Sequence, residues 1–190
     1  MKNPTKITIG IVIAIVIIVG AVFATNTDLF KGSLEGANKN ITKGQLAVLI
    51  VTTLIPVIGQ DVINNPKEEC VSAIATTEEK TSICYLIGEG MLPYGYAEPD
   101  VIPSRGAAAV IFNKAFNQYL PPVSTTEKVT RPYSDVFESA FFGPAVNNLA
   151  AHGVLDIKSG QNNKFFPNNA LTVGRAKYWI KKIQEKSEVL

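Results

Sequence analysis

The chain has 190 residues, of which 18 are basic and 16 are acidic, giving a formal net charge of +2 at pH 7. This near balance excludes the strongly basic surface that nucleic-acid-binding proteins carry. With a single histidine and no GxxxxGK[ST], HExxH or GxSxG motif, the chain lacks the residues that common catalytic triads, histidine metal sites and nucleotide sites need. We therefore expect neither an enzyme nor a bound cofactor or metal.

An uncharged segment of 18 residues, Ile7 to Ala24, lies near the start of the chain. As a helix it would be about 27 Å long, enough for a hydrocarbon core of about 30 Å. Lys2 and Lys6 precede it and every acidic residue follows it. We predict a cytoplasmic N-terminus over residues 1–6, a single-pass membrane anchor over 7–24 and an extracytoplasmic remainder. A cleaved signal peptide is the alternative, because the residues before Thr25 suit signal peptidase.

Cys70 and Cys84 are the only cysteines. An even pair in an extracytoplasmic segment is more often a disulfide than a metal or redox site. We predict a disulfide closing a loop of about 15 residues, which would contribute about 3 kcal/mol through chain entropy. Two separately buried thiols are the alternative.

Beyond the anchor, residues 25–40 predict a spacer because they are rich in Gly, Asn and Thr. Thr42 and Gln45 have the form of a capping box, which predicts a helix from about Thr42 to Ile55 that ends at Pro56. Apolar spacing, caps and turn residues predict further helices over Thr77 to Glu89, Pro103 to Phe116 with Ser104 as a cap, Phe142 to His152, and Val173 to Gln184.

Polar and Pro-rich residues 121–132 predict a linker. His152 is expected at a helix end, where a cation is favourable. The pairs Phe141-Phe142 and Phe165-Phe166 would suit a sugar site, but aromatic side chains usually pack in the core, and we expect that here. The fold class is mainly α.

Three loop-to-helix joints recur at a spacing of about 50 to 70 residues, which indicates tandem helix-loop-helix units. Each joint has a branched apolar residue, a helix start and an apolar face. The three joints are ITKGQLAVLIV at Ile41, IPSRGAAAVIF at Ile102 and LTVGRAKYWI at Leu171.

The stretch from Tyr133 to Ile183 resembles the S-layer homology repeat. It has the aromatic-x-Asp-Val start, a helix, Gly followed by two apolar residues, the Phe-x-Pro-Asn loop and a second helix where the family has Ile-Thr-Arg-Ala-Glu. Residues 77–116 are similar to a second copy without the Asp-Val start. Residues 36–55 are similar to the last half of a first copy.

The resemblance implies an external domain over residues 41–190. Its parts would be a half repeat at 41–56, a repeat at 70–118 and a repeat at 133–186. In the family such repeats pack as a pseudo-threefold set of lobes. Grooves between the lobes bind secondary cell-wall polysaccharide or peptidoglycan-linked glycan.

Residues that match the groove positions of the family follow from the resemblance alone. They are Asp135 for the Asp, Phe141 in place of Trp, Gly153 and Gly90 for the Gly, and Lys43 in place of the helix-opening Arg. At the other joints, aligned on the branched apolar residue, Val173 and Ser104 hold the Arg position. Arg105 and Arg175 are then displaced by about 100° or more around their helices and are not expected to reach the same groove.

Two functions fit these expectations. In the first, a membrane-anchored envelope protein binds cell-wall glycan or tethers an S-layer. In the second, the protein is a structural or accessory subunit of a membrane-bound complex, and its repeats pack against partner proteins. The lost groove arginines favour the second function.

Overall fold

The computed structural model of the protein describes residues 36–59, 70, 77–93, 98–122, 132–155 and 163–190. The predicted cytoplasmic segment, membrane anchor, most of the spacer and most of the 121–132 linker lie outside these residues. Within the described part, none of the helices combines the length and the apolar character needed to cross a membrane. The chain divides into two compact units, Met1–Ala37 and Asn38–Leu190, and the second unit is the subject below.

Five α-helices form the described part of this unit, and a 3-10 turn, Asn117–Tyr119, extends the third. The helices are α1 Lys43–Ile58, α2 Thr77–Gly88, α3 Arg105–Phe116, α4 Gly143–Ala151 and α5 Val173–Lys186. The described residues contain isolated bridges, Asn40 with Thr172 and Ser104 with Ala170, but no strand. The mainly α fold class is confirmed for this part of the chain.

The predicted bounds of α2, α4 and α5 agree with the structure within two residues at each end. The predicted end of α1 was wrong, because the helix continues to Ile58 with Pro56 inside it. A proline in the last turn removes only one helical hydrogen bond, and the amide of Gly59 still donates to the carbonyl of Ile55 at 2.9 Å. The prediction for α3 placed Pro103 in its first turn, whereas the helix begins at Arg105 after the cap Ser104.

One apolar core joins these helices. α2 packs against α1, and α4 packs against α3. Trp179 of α5 meets Phe112 of α3 edge to face at 5.2 Å between ring centroids. The largest fully buried side chains are Trp179, Phe112, Phe116, Phe165, Leu46, Ile50, Leu54, Ile83, Leu86, Leu149, Leu171 and Ile180.

The starts of α1, α3 and α5 are linked by backbone hydrogen bonds. The first helical amide of each helix donates to a carbonyl in the segment that precedes another of these helices. The pairs are Lys43 to Val101, Arg105 to Asn169 and Val173 to Lys39, each at 2.8 Å. The segment before each helix therefore supplies a carbonyl to the first amide of a different helix. The three hydrogen bonds connect the three joints in a cycle.

A second set of bonds lies two residues earlier. The amide of Ile41 donates to the carbonyl of Leu171, and the amide of Leu171 donates to the carbonyl of Pro103, each at 3.0 Å. The bond that would complete this inner set needs an N–H on residue 103, which proline lacks. The hydrogen bonds thus place Ile41, Pro103 and Leu171 at equivalent positions.

Cys70 and Cys84 form a disulfide, with their Cα atoms 5.4 Å apart. Both residues are buried. Cys84 lies in α2, and the amide of Cys70 also points at its sulfur at 3.2 Å. The predicted pairing is confirmed, and it holds the chain before α2 against the middle of that helix.

Candidate functional site

The helix caps show which side chains hold equivalent positions at the three joints. The hydroxyls of Thr42, Ser104 and Thr172 each accept a hydrogen bond from the amide three residues later. At Thr42 the side chain of Gln45 also bonds back to the cap amide at 3.2 Å, so the predicted capping box is present. A hydroxyl cap stands immediately before the first helical residue, so Arg105 has the position of Lys43.

The expectation that Ser104 holds the helix-opening arginine position was therefore wrong. Aligning the joints on branched apolar residues matched Ile102 with Ile41, whereas the hydrogen bonds match Pro103 with Ile41. The shift of one residue moves Arg105 from a displaced position to the position equivalent to Lys43. At the third joint Val173 does hold this position.

Arg105 lies in an aromatic and cationic surrounding. Its guanidinium carbon is 4.6 Å from the centre of the Phe165 ring, a cation–π distance. Its Nε atom is buried and has no hydrogen-bond partner in the part of the chain that the structure describes. A buried donor without an acceptor is unfavourable, so the position of the Arg105 side chain is held by its packing and not by a hydrogen bond of Nε.

Charges of both signs influence the Arg105 guanidinium. Burial lowers the pKa of the Arg105 guanidinium, and the charge of Arg175 lowers that pKa further. Tyr133 and Asp135 have the opposite effect on the same pKa. The guanidinium stays protonated at neutral pH. The charge of Arg175 therefore disfavours the protonated guanidinium of Arg105, and the carboxylate of Asp135 favours it.

Asp135 holds the loop beneath Arg105. One carboxylate oxygen accepts from the amide of Phe165 and the other accepts from the amide of Phe166, each at 2.8 Å. Both oxygens are thus engaged by backbone donors. The structure gives Asp135 a role in fixing the Phe-x-Pro loop, and the predicted contact with glycan stays a prediction.

Three phenylalanines in the segments before α4 and α5 are exposed. Phe141 is 71% exposed, Phe137 is 57% exposed and Phe166 is 48% exposed. Phe141 contacts Phe142 edge to face at 5.1 Å between centroids. The expectation that both aromatic pairs pack in the core was wrong for Phe141 and Phe166. It was right for Phe165, which is buried and stacks parallel to Trp179 at 6.1 Å.

Gly106 explains how Phe142 reaches the start of α3. A Cβ at this position would come within 2.8 Å of the Phe142 ring and 3.3 Å of the Cβ of Pro167. Only glycine leaves room for both neighbours. Phe142 and Pro167 therefore both lie against the first turn of α3, and each is the sequence neighbour of an exposed phenylalanine, Phe141 and Phe166.

At α1 the equivalent surrounding is different. A Cβ at Gly44 would come within 2.7 Å of a carboxylate oxygen of Glu79, so a carboxylate lies where α3 has the Phe142 ring. Lys43 is half-buried. The first turn of α1 therefore has a carboxylate at the place where the first turn of α3 has the Phe142 ring, and the carboxylate nearest to Arg105 is instead that of Asp135 on the neighbouring loop.

The two predicted glycines end helices. Gly90 follows α2 with φ +69°, and Gly153 follows α4 with φ +68°, a left-handed conformation that glycine adopts readily. α4 is nine residues long, about 14 Å, so Gly153 and Phe141 lie at its opposite ends. Of the predicted site residues, Asp135 holds the backbone of Phe165, whose ring lies against the Arg105 guanidinium, and Phe141 packs on Phe142 just before α4. Gly153 lies beyond the far end of α4.

His152 caps the C-terminal end of α4, as predicted. Burial lowers the pKa of its imidazole. The expectation of a cation at this helix end is therefore not supported, because partial removal from water favours the neutral ring. Among the described residues, no cluster of three His, Cys, Asp or Glu side chains is arranged to hold a metal ion.

Comparison with protein-family models gives no match to the chain. Comparison with curated proteins finds no significantly similar relative.

Proposed function

We propose that this protein is a membrane-anchored cell-envelope protein whose external domain binds cell-wall glycan. The proposal takes the domain as a pseudo-threefold S-layer-homology-like fold on a single-pass anchor with a cytoplasmic N-terminus. It assigns the protein neither catalysis nor a cofactor. The cycle of hydrogen bonds from Lys43 to Val101, from Arg105 to Asn169 and from Val173 to Lys39 supports the threefold relation of the joints.

The observation that carries the proposal is the surrounding of Arg105. Its guanidinium carbon lies 4.6 Å from the centre of the Phe165 ring, the Phe142 ring lies against Gly106 at the next position of α3, and Phe141, which contacts Phe142, is 71% exposed. Acidic glycans offer carboxylate oxygens for guanidinium groups and C–H faces for aromatic rings. The first-turn amides of α3 are already bonded to Asn169, Pro167 and Ser104, so the side chains carry the recognition.

The test is binding of the full chain in lipid nanodiscs to purified glycan strands stripped of peptide, whose muramic residues each carry a carboxylate. Arg105→Gln removes the charge and keeps much of the side-chain volume. Loss of a charge-assisted hydrogen bond of about 1.5–3 kcal/mol corresponds to a fall in affinity of about 10- to 100-fold. Lys181→Gln, at a lysine that is 74% exposed on α5, is the control and should bind like the wild type.

Equal binding by wild type and Arg105→Gln would remove Arg105 from the site. Absence of binding in every variant would contradict the glycan proposal.

The alternative function is a structural or accessory subunit of a membrane-bound complex. Its support is the same group of exposed phenylalanines, since large exposed apolar side chains commonly mark protein contacts. Val101 and Ile102, also exposed, lie just before α3 and could extend such a surface. Under this alternative the full chain copurifies with defined subunits and ignores glycan.

A further inference from the structure

Phe166 has an unusual backbone conformation. Its φ of +55° is the only positive φ at a residue other than glycine in the described part of the chain. A bulky side chain is disfavoured in this left-handed region, because its Cβ crowds the backbone carbonyls. Glycine or asparagine would adopt the same turn more easily.

The ring of Phe166 is also poorly used by the fold. It is 48% exposed, whereas the ring of its neighbour Phe165 is buried against Trp179 and Tyr133. Asp135 fixes the turn through the amides of both phenylalanines, and these bonds do not depend on the side chain at position 166. The fold therefore tolerates an unfavourable backbone and an exposed ring at one residue, a combination typical of functional positions.

The place of Phe166 connects it to the candidate site. The residue after it, Pro167, accepts a hydrogen bond from the amide of Gly106 at 2.8 Å. The residue before it lies under the Arg105 guanidinium. Both sequence neighbours of Phe166 therefore contact the first turn of α3, one through Gly106 and the other through Arg105.

We propose that Phe166 is a ligand-contacting residue that stacks on the apolar face of a pyranose ring. This inference rests on the proposed glycan binding and adds a specificity-determining residue to it. A pyranose has C–H groups on one face and polar groups at its edge. The C–H face of the sugar can pack on the Phe166 ring while its polar edge bonds to the guanidinium of Arg105, and a purely apolar protein surface offers no such polar edge.

The experiment compares four proteins in nanodiscs: wild type, Phe166→Trp, Phe166→Ala and Phe166→Gly. Binding of the same peptide-free glycan strands and the melting temperature are measured for each. Phe166→Trp keeps an aromatic face and should bind within about threefold of the wild type, whereas Phe166→Ala and Phe166→Gly should each lose about tenfold or more, as truncating an aromatic contact residue does.

The melting temperatures separate the effect of the left-handed backbone on stability from the effect of the aromatic ring on binding. Alanine keeps the left-handed penalty and glycine removes it, so Phe166→Gly should melt about 2–4 °C above Phe166→Ala, the reverse of their usual order. Val189→Ala, at an exposed valine near the C-terminus, is the control and should bind and melt like the wild type.

Binding of Phe166→Ala at wild-type strength, while Arg105→Gln loses affinity, would overturn this inference and leave the proposed function intact. A Phe166→Gly protein that melts below Phe166→Ala would show that the left-handed turn is not unfavourable, and would also overturn it. Absence of glycan binding in the wild type would overturn both proposals. Loss of a copurifying protein from Phe166→Ala, with no glycan bound by any variant, would assign the ring to a protein contact instead.

Discussion

Asp135 shows how a residue of a resembled motif acts in this chain. The resemblance predicts a groove carboxylate, and the structure places both oxygens on the amides of Phe165 and Phe166. The carboxylate thus sets the geometry of the loop that supports Arg105. A residue can hold a site together without contacting the ligand, and its substitution then alters stability as well as binding.

Replacing Asp135 with alanine should lower the free energy of unfolding by about 2–3 kcal/mol, because two charge-assisted hydrogen bonds are lost. Urea unfolding of the full chain measures the change. Asp100→Ala, at an exposed aspartate in the loop before α3, should change stability by less than about 0.5 kcal/mol. An Asp135→Ala protein as stable as this control would indicate that the carboxylate is available to a ligand.

His152 should make the stability of the domain depend on pH. Burial lowers the pKa of the folded imidazole below its ordinary 6.5. As pH falls through about 6.5, the unfolded chain binds the proton before the folded chain does, so stability is lost on acidification and is fully present above that pH. Melting temperatures between about pH 5.5 and 7.5 should therefore rise with pH, and His152→Asn should flatten the rise. If acidification raises the melting temperature of the wild type and not that of His152→Asn, the folded imidazole is not held neutral.

At the scale of helices, the caps organise the joints. Thr42, Ser104 and Thr172 each accept from an amide three residues on, and each following helix donates its first amide to a different joint. A helix start in this domain is therefore held by its own cap and by another segment. This double support stabilises the starts of α1, α3 and α5, which are 12 to 16 residues long.

Thr42→Ala should cost about 1 kcal/mol of unfolding free energy through loss of the cap. Thr52→Ala is the matched control, since Thr52 lies inside α1 and the same substitution there removes no cap. Alanine favours helix interiors, so the control should be neutral or slightly stabilising. Equal melting temperatures for Thr42→Ala and Thr52→Ala would show that the cap contributes nothing measurable.

The disulfide acts on α2. Replacing both Cys70 and Cys84 with alanine should lower the free energy of unfolding by about 3 kcal/mol, as expected for a closed loop of about 15 residues. Intact mass should rise by two hydrogens on reduction of the wild-type chain. If both thiols of the unreduced, unfolded wild type react with an alkylating reagent, the bond is absent from the protein.

At the scale of the molecule, local signals predicted the helices well. Apolar spacing and caps gave the order of the helices and most of their ends, because these features act within a few residues. Pro56 misled the prediction because a proline near a helix end costs a single bond, which packing of α1 in the core can offset.

The candidate site was harder to predict because it depends on contacts distant in sequence. Arg105 was assigned to the wrong position because the equivalence of Pro103 with Ile41 rests on hydrogen bonds to Leu171. Phe141 was expected in the core because aromatic residues usually pack there. Its exposure follows from the packing of its neighbour Phe142 over Gly106, a contact distant in sequence that local patterns do not show. Alignment on the hydroxyl caps instead of the branched residues would have placed Arg105 correctly.

Extraction of the full chain from its native membrane in mild detergent, followed by sedimentation of the cell-wall sacculus, tests the central proposal most directly. We expect the wild-type protein to sediment with the sacculus and the Arg105→Gln protein to remain in the detergent supernatant, while Lys181→Gln sediments like the wild type. If the wild-type and Arg105→Gln proteins both leave the sacculus and copurify with the same defined set of subunits, glycan binding is contradicted and the structural alternative is supported.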